Sequence, residues 1–244
     1  MSKQVITLNC DMGESYGPWV MGNDSQVMPL IDMANIACGF HASDPKTMAD
    51  TVKLAIQHDV KIGAHPSYPD LLGFGRRTIA MTSEELTYSL IYQVGALKAI
   101  CESFNTELHY IKPHGALYND MLNDHSLFES VVDAASCFAI PLMMLAHPNN
   151  QPFLDIADRY EVPLLFEAFA DRTYMSNGML APRSETGAVL TESEAVISQV
   201  EQIIQYGKLI TLDGEVIQID ADTICVHGDN PHALKILEDL RVIF

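Results

Sequence analysis

Seven times along this 244-residue chain a short apolar run ends in a residue able to move a proton, hold an ion or bind an anion. Asp11 follows LNC, with Glu14 three residues later; His41 follows ACGF and His65 follows IGA. Lys112 and His114 stand in YIKPHG, His147 ends LMMLAHP, FEAFADR spans Glu167 to Arg172, and ICVHGD supplies His227 and Asp229. Histidine can serve as general base, oxyanion donor or metal ligand. A single histidine is more often a satisfied structural group, but four at run ends (His41, His65, His114 and His227) argue for function as a set. With the carboxylates Asp11 and Glu167 they are the catalytic candidates. Glu14, Arg76, Arg77, Lys112, Asp171, Arg172 and Asp229 are the binding candidates. In a chain with a formal charge of -18, lysine and arginine at such positions are plausible anchors for carboxylate or phosphate, arginine by bidentate contact.

These residues meet only if the apolar runs are parallel strands whose carboxyl ends share one face, where a βα-barrel keeps its active site. The pattern fits. Extended and helical periodicities alternate, as βα units require. Strands are expected at Val5 to Asn9, Met33 to Cys38, Val60 to Ala64, Leu108 to Lys112, Leu142 to Ala146, Leu164 to Phe169 and Thr223 to Val226. Asp44-Pro45 reads as an N-cap with proline at the first helical position, followed by an apolar face of Met48, Val52, Ala55 and Ile56. Thr82-x-x-Glu85 and Thr191-x-x-Glu194 read as capping boxes, and Asn230-Pro231 as the cap of the last helix. KLITLDGEVIQID breaks the rhythm: two extended segments flank Asp213-Gly214, a hairpin turn signal, so 208–220 reads as an inserted β-hairpin. The expectation is one α/β domain over 1–244, a (β/α) barrel of about seven strands.

Composition excludes several partners. The acidic charge repels nucleic acid and anionic membrane. No apolar stretch approaches the roughly 18 residues of a membrane span, and the amino-terminal run lacks a signal-peptide core, so a cytoplasmic protein is expected. Five cysteines without regular spacing fit a reducing compartment. Gly17 to Gly22 is followed by Asn23-Asp24, which excludes a P-loop, and no G-x-S-x-G elbow occurs. The loop Gly73-Phe74-Gly75-Arg76-Arg77 would suit a phosphate or a lid. A metal is left open: the helical H-E-x-x-H pattern is absent, yet an aspartate and two histidines from separate strand ends could form a three-ligand site.

Taken together, NCDMGE, ANIACGFHASDP, IGAHPSYPDLLGFGRR, YQVGAL, KPHGALYN, FEAFADRTY, GMLAPRSETGAV and CVHGDNP resemble the LamB/YcsF family and, within it, the A subunits of bacterial ATP-dependent 5-oxoprolinases. The resemblance runs in order from Asn9 to Pro231. It implies a barrel of the glycoside hydrolase/deacetylase superfamily and the conversion of 5-oxo-L-proline, ATP and water to L-glutamate, ADP and phosphate, with partner subunits B and C. Two other readings stand beside it: a metal-dependent deacetylase-like amidohydrolase, and a non-catalytic lactam-binding or scaffold subunit. Cys10-Asp11 stands where the deacetylases carry an aspartate pair, which weighs against the first. Which subunit holds ATP, whether a divalent metal is bound and whether the chain forms a homo-oligomer are left open by the sequence.

Overall fold

The computed structural model describes residues 6–226 and 233–244. Its elements run β1 (Thr7–Met12), α1 (Asp24–Val27), a short 3-10 turn, β2 (Met33–Ala37), α2 (Pro45–Gln57), β3 (Lys61–His65), α3 (Ser83–Ser103), β4 (Tyr110–Ile111), α4 (Gly115–Asn123), α5 (His125–Ser136), β5 (Leu142–Leu145), α6 (Gln151–Arg159), β6 (Leu164–Phe169), α7 (Ser193–Tyr206), β7 (Lys208–Ile210), β8 (Val216–Gln218), β9 (Thr223–Val226) and α8 (Ala233–Leu240). Seven strands close into a parallel barrel in the order β1-β2-β3-β4-β5-β6-β9. β7 and β8 pair antiparallel outside it, as the Asp213-Gly214 turn requires.

Strand alternation sorts the side chains. On β1, Leu8, Cys10 and Met12 join the large apolar core, while Asn9 and Asp11 engage the groups of the barrel interior. The register sets Asp11 beside Asn35, Asn35 beside Gly63, and Gly63 beside Tyr110. Gly63 has to be glycine there, because a Cβ would strike the Tyr110 ring. Met33, Tyr110 and Met143 form a separate apolar plug with Leu165 packed against it. One end of the barrel is thus filled by packing, and the polar residues of the interior stack toward the other.

The helix starts are largely local chemistry. Asp44 accepts from Lys46 N (2.8 Å) and Thr47 N (3.2 Å), and Thr82 with Glu85 completes the capping box of α3. Several expectations need correction. The strand expected to end at Asn9 continues to Met12, so Asp11 lies within β1. Helix α7 is capped by Glu192 with no side-chain bond, and Thr191 instead turns its hydroxyl to the Glu192 carboxylate. Ile56 is exposed rather than part of the buried face of α2. Helix α4, starting directly at Gly115, is not among the expected elements. The Asn230-Pro231 cap lies outside the described residues.

Candidate active site

Asp11 is held by a hydrogen-bond chain that crosses four strands. Thr223 Oγ1 donates to Thr7 O (3.0 Å) and accepts from Asn9 Nδ2 (3.0 Å). Asn35 Nδ2 donates to Asn9 Oδ1 (2.9 Å) and Asp11 Oδ1 (2.8 Å), while Asn35 Oδ1 accepts from Tyr110 Oη (2.7 Å). Every polar atom on this path is committed, which is what permits asparagine and tyrosine to be fully buried. The path orients the Asp11 carboxylate before any ligand arrives.

Lys112 lies beneath it. Its Nζ stands 3.1 Å from Asp11 Oδ1, 3.0 Å from Glu167 Oε2, 3.3 Å from Asn9 Oδ1 and 3.2 Å from Cys225 Sγ. Burial opposes the charge on Lys112, but the flanking Asp11 and Glu167 carboxylates overcome it and hold the ammonium well above the usual lysine range. Burial also pushes the Cys10 and Cys225 thiols up, so neither is a ready nucleophile.

Above Lys112 three imidazoles and a carboxylate meet. His65 Nδ1 is 2.7 Å from Lys112 O, and His114 Nε2 is 2.9 Å from Phe74 O. A carbonyl only accepts, so both of these nitrogens carry hydrogen. The remaining nitrogens, His65 Nε2 and His114 Nδ1, then face each other at 2.9 Å. Two neutral rings would oppose lone pairs there, so this spot calls for a proton or a cation between them. Asp11 Oδ2, 3.4 Å from His65 Nε2, and Glu14 Oε1, 3.7 Å from His114 Nδ1, supply negative charge to it. His41 stacks on His114 with ring centroids 3.7 Å apart and points Nε2 at Glu14 Oε1 (3.3 Å). Burial drives both His41 and His114 well below the usual histidine range, with neighbouring imidazoles adding to it. One ligand atom each from Glu14, His41, His65 and His114 lies within 4.8 Å of the others, a donor set that suits a borderline divalent ion such as zinc.

Two glycine turns let the loops close on this cluster. Gly13 (φ 69°) turns the chain so that Glu14 reaches the histidines, with its amide held by Asp24 Oδ2 at 2.8 Å. Gly75 (φ 63°) packs against Ser67, His41 and His114, and its carbonyl accepts from Ala116 N (2.8 Å) at the start of α4. Above the cluster opens a cavity of about 670 Å³ whose lining includes Asp11, Glu14, His65, Lys112, His114 and Tyr118.

The sequence matches the LamB/YcsF family over residues 6–243. The chain belongs to that family. Among its relatives, a Vibrio cholerae protein named as the A subunit of 5-oxoprolinase is 64% identical over 99% of this chain and 98% of its own. A Pseudomonas aeruginosa protein, also named as a 5-oxoprolinase A subunit, is 52% identical over 97% of this chain and 95% of its own. The crystal structure of a lactam utilization protein from Thermus thermophilus superposes with a TM-score of 0.90 at 38% identity, covering 97% of this chain and 94% of that one.

Residues from several of the motifs meet at one barrel mouth among the described residues, though not every expected site residue reaches it. Asp11, Glu14, His65, His114, Arg76, Lys112 and Arg172 line the cavity, and His41 lies directly behind His114. Lys112 is not an open anion anchor: the surrounding carboxylates, Asn9 and Cys225 occupy its ammonium. Glu167 is fully buried below the cavity as the partner of Lys112, on a strand whose register sets it opposite Thr223. Arg77 turns away to pair with buried Asp70, and Asp171 is buried outside the lining. His227 and Asp229 lie outside the described residues. Sequence reasoning missed Asn9, Asn35 and Tyr110. An alternating Asn9-x-Asp11 on a strand, opposite another strand asparagine, was the available signal.

Proposed function

We propose that this chain is the A subunit of an ATP-dependent 5-oxoprolinase, opening 5-oxo-L-proline to L-glutamate with ATP converted to ADP and phosphate, in company with two partner subunits, B and C. The observation that supports this most is the pre-oriented Asp11 beside the His65–His114 pair in a family whose close relatives carry that name. A five-membered lactam is an unreactive amide; transfer of a phosphoryl group to its carbonyl oxygen makes the carbon electrophilic, and water then needs a base while the ring nitrogen needs an acid. In this reading Asp11 takes the proton from water, the proton shared between His65 and His114 goes to the ring nitrogen as its C–N bond breaks, and a second water releases phosphate from the acyl phosphate that results. Glu14 and His41 hold the His114 ring in place.

A second reading has specific support. The four-residue donor set of Glu14, His41, His65 and His114 fits a divalent ion, which would polarise an amide carbonyl and acidify water. In that case these residues act as ligands and Asp11 remains the base. The deciding experiment is glutamate release from 5-oxoproline by the chain alone and mixed with B and C subunits, with and without ATP, before and after chelation of the chain. ATP-dependent release that survives chelation supports the first reading. Release lost on chelation and regained with zinc or manganese supports the second, and no release in any mixture refutes both.

A further inference from the structure

The floor of the cavity is acidic and imidazole-rich, but one stretch of its wall is cationic. Arg172 is 7% exposed and donates from Nη2 to Ala181 O (2.6 Å) and from Nε to Ala188 O (3.3 Å), which ties down the loop that follows β6. His147 Nε2 clasps the same loop at Asn177 O (2.7 Å). Two residues beyond Ala181, Arg183 is exposed and lines the same cavity as Arg172, and Arg76, lying 5.0 Å from the Phe74 ring centroid, lines it as well. Burial, and next the charge of Arg183, bring Arg172 down to about 10, with Asp171 acting in the opposite sense. Among the described residues neither Arg172 nor Arg183 has a salt-bridge partner. Two guanidiniums lining one cavity repel one another, and an anion bound between them relieves that repulsion.

The cavity is also larger than one small lactam acid needs, and in size resembles the sites that enclose ligands of about 300–1,000 Å³. The carboxylate of such an acid calls for one guanidinium. We infer that Arg172 and Arg183, with Arg76 on the same lining, form a polyphosphate subsite at the outer wall of the cavity, leaving the Asp11–His65–His114 floor for the second reactant. Arg183 is the member that no run-end motif pointed to, and its seat is set by the bonds of Arg172 to the loop backbone. The inference rests on the proposed function only for naming a nucleotide triphosphate as the source of that polyphosphate.

Direct binding to the full chain tests it, by titration calorimetry with inorganic tripolyphosphate, magnesium ATP and 5-oxoproline as separate probes. Tripolyphosphate and magnesium ATP should bind the wild type, and Arg183→Ala should weaken both by roughly tenfold or more while Arg183→Lys recovers part of the loss. Binding of 5-oxoproline should not change. Because Arg183 is exposed, Arg183→Ala should keep the wild-type melting temperature. Equal polyphosphate affinity in Arg183→Ala and wild type, or no polyphosphate binding by the wild type, overturns the inference. So does a loss confined to 5-oxoproline, which would give the wall to the substrate carboxylate. Polyphosphate binding that needs Arg183 in a chain that never supports glutamate release would sustain the subsite while removing the proposed function.

Discussion

Replacing Lys112 with methionine, of similar length and no charge, should be among the most damaging single substitutions in the barrel. The ammonium is buried, with Asp11 at 3.1 Å and Glu167 at 3.0 Å, so its removal leaves two carboxylates facing each other across an apolar stem. Breaking a buried ion pair from one side costs about 3–5 kcal/mol, whereas the exposed Arg159–Glu129 pair is of the class that contributes about 0–1 kcal/mol. Chemical denaturation of wild type, Lys112→Met, Glu167→Gln and the double variant, followed by circular dichroism, measures the cost and the coupling. The double variant should recover at least ~1 kcal/mol relative to Lys112→Met, since one of the two orphaned charges is then gone. The pH dependence has a definite sign. In wild type the raised Lys112 contributes stability that is fully present below the unfolded lysine pKa and lost only as pH rises through its folded value, so it adds no slope between pH 5 and 8. In Lys112→Met two buried carboxylates are left without their cation, and protonating either relieves their repulsion, so the deficit should shrink as pH falls from 8 to 5. A deficit below about 1 kcal/mol, or one that grows on acidification, would refute the view that Lys112 balances buried carboxylates.

Two further outcomes follow from the same interior. Tyr110→Phe deprives Asn35 Oδ1 of its donor at 2.7 Å, and should lower stability by about 1–3 kcal/mol and slow turnover through a mis-set Asp11, whereas the exposed Tyr92→Phe should change neither; equal effects at both positions on denaturation and rate would show that the asparagine chain does not position Asp11. Because burial depresses His41 and His114, their contribution is full above the unfolded histidine pKa of about 6.5 and is lost as pH falls below it, so His41→Asn should flatten the fall in stability between pH 6.5 and 5 by up to ~1.4 kcal/mol per pH unit, and an unchanged slope would mean that His41 is not held neutral.

The strand-and-helix alternation, the Asp44 and Thr82 caps and the inserted hairpin were all legible because each rests on short-range periodicity and turn chemistry. The ends of β1 and β4 were not. Asp11 reads locally as a turn residue, and only pairing with Asn35 on β2 keeps it in a strand. Helix α4 was hidden for a related reason: Gly115 tolerates φ 61° and close contact with the Gly75 carbonyl, a fact about another loop.

By itself the sequence determined that this chain would gather acid, base and cationic residues at the ends of parallel strands, since hydrophobic period and polar punctuation are local properties. The division of labour among those residues was decided only by tertiary structure. Lys112 and Arg172 look alike as cations after apolar runs, yet one is enclosed by carboxylates brought from β1 and β6, and the other is bonded to carbonyls of its own loop. Charge compensation depends on distance in space, and barrel closure sets those distances between residues as far apart in the chain as Asn9 and Thr223.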